Sequence, residues 1–85
     1  MKTFGDFIRF FSSAKVCMEL FGVSEEMEKE FRERSKAVGQ VILRENHISR
    51  EQIAGLPWDT ILGEESRAMA ESFKAWFNLL ALDKK

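Results

Sequence analysis

Tyrosine is absent from this 85-residue chain, and cysteine, histidine and proline each occur once. A single cysteine, Cys17, rules out an intramolecular disulfide and a thiolate metal cluster, and fits a reducing compartment. A single histidine, His47, rules out a His–His metal pair, and its neighbours Glu45 and Asn46 are not at ligand spacing. There is no glycine-rich phosphate loop, no Gly-x-Ser-x-Gly and no His-Glu-x-x-His. No cofactor, metal site or catalytic residue is expected, and an enzyme is not the expected class.

An excess of charge of either sign is also missing. Thirteen basic and fourteen acidic side chains leave a net charge of −1. Residues 1–24 carry +1, residues 25–50 carry 0 and residues 51–85 carry −2. A protein that grips a phosphate backbone normally concentrates cations, so nucleic acid is not the expected main partner. Long hydrophobic runs are absent too. Asp6, Arg9 and Lys15 interrupt the phenylalanine-rich beginning long before it could span a bilayer. On its polar face Lys2 and Arg9 are offset by Asp6 and Glu19, so a membrane surface is not an expected partner either. The expectation is a soluble, cytoplasmic protein.

What the chain does contain is helical periodicity. Residues 1–85 read as one all-α domain, a small bundle of three long or medium helices plus one or two short helical turns. At the 3.6-residue period, Phe4, Phe7, Ile8, Phe10, Phe11, Ala14, Cys17, Met18 and Phe21 fall on about half of the first helix's circumference. Thr3 is its expected N-cap and Gly22 its stop. Ser24 is the N-cap of the second helix, whose first turn is acidic as the helix dipole favours. Met27, Phe31, Val38, Val41 and Ile42 form its apolar seam, with Arg34 inside that seam as a snorkelling side chain or a partner contact. Glu25–Lys29, Glu28–Arg32 and Glu30–Arg34 stand at i,i+4 along the helix.

Further on, Ser49 and Gln52 have capping-box spacing, and Ile48 and Ile53 bracket them as a staple. These signals predict a short helix starting at Arg50 and ended by Gly55, then a second helical piece in "PWDTIL" stopped by Gly63. Glu64, Glu65 and Ser66 open the last helix. Its apolar face holds Ala68, Met69, Ala70, Phe73, Trp76, Phe77, Leu79 and Leu80 over about 200°. Lys84 and Lys85 sit where its dipole favours cations.

The segment "SREQIA" (Ser49–Ala54) resembles the first helix of a helix-turn-helix. That motif needs a glycine about four residues beyond the alanine. Trp58 stands there, and Gly55 comes too early. The helix that would enter DNA begins with Glu64 and Glu65, two carboxylates aimed at phosphates. A small DNA-binding regulator is therefore the alternative, and the leading expectation lies elsewhere.

That expectation comes from surplus apolar surface. Eight phenylalanines and two tryptophans without a tyrosine are aromatics suited to burial. A core-facing stripe in a small bundle needs little more than about 100° of a helix, and the first and last helices offer far more. The sequence thus predicts a non-catalytic protein–protein interaction module: a regulator, adaptor or inhibitor that docks an apolar helix face on another chain and forms a homodimer. Phe10, Phe21, Trp76 and Leu80 are the expected interface residues. Cys17 is expected to be a buried thiol, and His47 a surface group at a helix end.

Overall fold

The structure, a computed structural model, describes residues 1–83. Lys84 and Lys85, expected to complement the last helix's dipole, lie outside the described residues. Three α-helices dominate: α1 (Phe4–Phe21), α2 (Glu25–Glu45) and α3 (Glu64–Asp83). A single 3-10 turn, Ile53–Gly55, lies in the connection between α2 and α3.

Each helix starts where its capping chemistry directs. Thr3 accepts from the Asp6 amide (3.1 Å), and the Asp6 carboxylate accepts from the Thr3 amide (3.3 Å), a reciprocal capping box. The next two amides find backbone acceptors in the α2–α3 connection: Phe4 donates to the Thr60 carbonyl (2.9 Å) and Gly5 to that of Trp58 (2.7 Å). All four amides that a helix start leaves without an internal partner are thereby satisfied. Gly5 is required here, because a Cβ would stand 2.6 Å from the Trp58 carbonyl oxygen. Ser24 caps α2 by accepting from the Met27 amide (3.2 Å). Gly22, at φ +62°, ends α1 and donates to the Met18 carbonyl (3.1 Å).

The short turn between α1 and α2 makes them antiparallel, and α3 runs alongside α1 in the same direction. Phe7 faces Phe73 and Phe10 faces Phe77, at ring separations of 6.3 and 5.9 Å. Phe31 of α2 meets both Phe73 (5.2 Å) and Phe77 (5.9 Å) and stacks on Phe11 (5.3 Å). The core is this aromatic layer, extended by the buried Phe4, Ala14, Met18, Val38, Ile42, Leu62 and Ala70. Tilted and edge-on rings add about 0.5–1.5 kcal/mol per pair to the burial of their area.

The α2–α3 connection departs from the sequence-based expectation. The segment after Ser49 makes turns and one 3-10 turn, with no α-helix beginning at Arg50. Only half of the expected capping box forms: the Gln52 side chain accepts from the Ser49 amide (2.8 Å), while the 3-10 turn has no side-chain cap. "PWDTIL" forms a turn, closed by the Thr60 amide on the Pro57 carbonyl (3.0 Å), and then runs extended. Ile61 bridges Thr3 in antiparallel fashion, and Leu62 donates to the Lys2 carbonyl (3.0 Å). The carbonyls of Trp58 and Thr60 serve the start of α1, an external use that a helix spanning 57–62 would compromise.

Candidate interaction surface

Of the four expected interface residues, Phe21 stands in solvent and the other three are half-buried. Phe10 sets its ring edge-on against Phe73 (5.7 Å) and Phe77 (5.9 Å), so much of its surface is engaged within the chain. Trp76 stacks with Phe73 (6.0 Å), and the Arg34 guanidinium lies 4.8 Å above its ring. Leu80 lies one turn beyond Trp76 on α3. The structure does not gather the four into one patch. Phe10 and Trp76 belong to the aromatic layer, whereas Phe21 lies at the far end of α1.

The apolar surface that does reach solvent on α1 includes two residues the sequence reading passed over. Leu20 is 76% exposed, Phe21 75% and Val16 53%. Val16 and Leu20 are one turn apart and share the outer stripe of α1 with the exposed Arg9, Ser12, Ser13 and Glu19. Phe10 and Phe21 belong to the broad apolar arc of α1, whereas Val16 and Leu20 lie on the opposite stripe, where two apolar residues at i,i+4 on a polar face are a visible signal. On α3, Leu79 is also exposed.

Arg34 is placed by two contacts. Its Nε and Nη2 donate to Glu30 at 3.0 and 2.9 Å, and its guanidinium covers Trp76. The charge therefore stays at the surface while the stem crosses the seam between α2 and α3, as a snorkelling side chain does. Between α1 and α2 lies a cleft of about 370 Å³ with Phe11, Met18 and Phe31 on its floor and Lys15, Glu19 and Arg32 among its rim.

The candidate reactive side chains do not converge. Cys17 is half-buried near the end of α1, less covered than expected. His47 is exposed just past the end of α2, in a left-handed conformation with φ +53°. They lie at opposite ends of α2, a helix about 30 Å long. Among the described residues no three His, Cys, Asp or Glu side chains cluster as a metal site would require. Nor, among those residues, is any helix long and apolar enough to cross a membrane.

The strongest polar linkage joins the ends of α2 and α3. Glu45 accepts from both the amide and the hydroxyl of the fully buried Ser66, and Arg44 donates to Glu65 at 2.7 Å. The Ser66 hydroxyl is the chief cause holding the Glu45 carboxyl below its ordinary range. Partial desolvation opposes it, and the Ser66 and Glu65 amides add to it. The N-terminus of α3 is thus occupied by a carboxylate of this same chain. Compared with known proteins, the chain matches no family, no curated protein and no solved structure.

Proposed function

We propose that this chain is a non-catalytic helical interaction module, a regulator, adaptor or inhibitor of the cytoplasm, that docks an apolar helix face on another chain and forms a homodimer. The observation that carries the proposal is the solvent-facing surface of α1, where Val16, Leu20 and Phe21 are each more than half exposed. Apolar side chains clustered in solvent mark sites of association when they are contiguous. Trp76 and Leu80, half-buried on α3, are secondary contributors, and Phe10 acts from beneath by holding α1 against α3. The near-neutral charge lets two copies approach without net repulsion. The DNA-binding alternative is weakened by the start of α3, where Glu45, Glu64 and Glu65 put three carboxylates where a reading helix would meet phosphates.

Light scattering of the purified chain tests the reading. The expected result is a dimer at micromolar concentration that Leu20→Glu converts to a monomer with unchanged helical circular dichroism. A wild type that stays monomeric at high micromolar concentration overturns self-association.

A further inference from the structure

We infer that the partner on the outer stripe of α1 is a second copy of this chain, packed antiparallel about a two-fold axis level with position 14, between Ser13 and Val16. The inference rests on the self-association proposed above and adds its geometry. The stripe carries opposite charges near its two ends, Arg9 and Glu19, with two small residues, Ser12 and Ser13, between them. All four are exposed, and so are Val16 and Leu20 beside them.

A two-fold axis perpendicular to α1 reverses the stripe on itself. Arg9 of one copy then lies level with Glu19 of the other, and the pairing occurs twice. The stripe is its own electrostatic complement, which a partner of one dominant charge would not match. Among the described residues Glu19 closes no ion pair; Arg9 pairs loosely with Asp6 at 3.7 Å and sets its guanidinium 5.9 Å from the Trp58 ring, while its side chain stays 71% exposed. Both charges are therefore available to a second chain.

Shape points the same way. Helices pack about 8–10 Å apart, and the lower end of that range requires small side chains at the crossing. The two serines supply them. Val16 of one copy lies level with Ser12 of the other, and Leu20 covers the aliphatic stem of the opposite Arg9. The bulky residues of each copy thereby meet the slender part of the other. A parallel pairing would set Arg9 against Arg9 and Glu19 against Glu19.

Charge exchange combined with cross-linking tests the geometry. Glu19→Arg alone should raise the dimer dissociation constant about tenfold or more, because it places like charges together. Adding Arg9→Glu should restore the wild-type value. In a Cys17→Ser background, Ser13→Cys should form an intermolecular disulfide under mild copper–phenanthroline oxidation, since the two position-13 Cα atoms, offset by only about 3 Å along the helices, come within disulfide reach across the axis. Circular dichroism of each variant verifies that the helices persist. A wild-type dimer that ignores Glu19→Arg, is not restored by the double exchange, or fails to cross-link through position 13 overturns this geometry while leaving self-association standing. A monomeric wild type overturns both.

Discussion

The carboxylate of Glu45, the last residue of α2, accepts both the backbone amide and the hydroxyl of Ser66 in the first turn of α3. A side chain 21 residues away thus does the work that an N-cap residue ordinarily does from its own position. Gly63 makes room for it, since a Cβ there would collide with the Glu45 carboxylate.

This clasp predicts a stability that depends on acid. The Glu45 carboxyl is held below its ordinary 4.5 in the folded chain, chiefly by Ser66. Its contribution is therefore present above that value and is lost as pH falls through the lower folded-state pKa. Asp6 behaves alike, because the Lys2 amide and then the Thr3 hydroxyl and amide favour its charged form. Urea unfolding across pH 2–6 should show stability falling as carboxylates are protonated, and Glu45→Gln should flatten part of that fall while Asp6 and Glu51, also held below their ordinary values, retain the rest. An acid limb unchanged by Glu45→Gln would contradict the assignment.

The same clasp predicts coupling between Gly63 and Glu45. Gly63→Ala displaces a flexible carboxylate, so it should lower the urea midpoint by the loss of the two hydrogen bonds that Glu45 accepts from Ser66. In a Glu45→Ala background there is no carboxylate left to displace, and the added methyl should be nearly neutral. A double-mutant cycle measures this, and additive effects would exclude the contact as the cause.

Gly5→Ala should destabilise the chain, against the usual trend. Exchanging a helical glycine for alanine normally gains about 1 kcal/mol from helix propensity. Here the new Cβ meets the Trp58 carbonyl oxygen at 2.6 Å, and that atom belongs to backbone hydrogen-bonded to the Gly5 amide itself. The expected loss is about 1–3 kcal/mol, read as a lower urea midpoint. A raised midpoint would mean that the connection does not dock on the start of α1.

Phe10 and Leu20 should respond oppositely to a charge. Phe10→Glu thrusts a carboxylate between Phe73 and Phe77 and should abolish cooperative unfolding. Leu20→Glu adds a charge at a site already 76% exposed and should leave helix content and cooperative unfolding intact. Circular dichroism on both variants decides between them.

His47→Gly should stabilise the end of α2 by about 1 kcal/mol, since glycine adopts the observed φ of +53° without the clash a Cβ brings. An unchanged melting temperature would mean that the histidine side chain offsets its backbone cost.

The sequence by itself determined the three long helices and much of their capping. Thr3, Gly22 and Ser24 act through neighbours one turn away, and the apolar stripes follow from a period that backbone geometry imposes. Such signals are local, so they are legible in the chain. The connection between α2 and α3 was not. Its caps and staple pointed to helix, but the start of α1 drew the Trp58 and Thr60 carbonyls into an extended docking that no short-range pattern encodes. The candidate surface divided in the same way. Periodicity showed that α1 is apolar over too wide an arc, whereas only packing decided which part is covered. Three aromatic rings of α2 and α3 (Phe31, Phe73 and Phe77) cover the Phe7–Phe10–Phe11 side of that arc and leave Phe21 at its far end in water, as Val16 and Leu20 are on the opposite stripe. Two neighbouring helices can cover only the side of α1 that faces them, and which side that is depends on how all three are seated together.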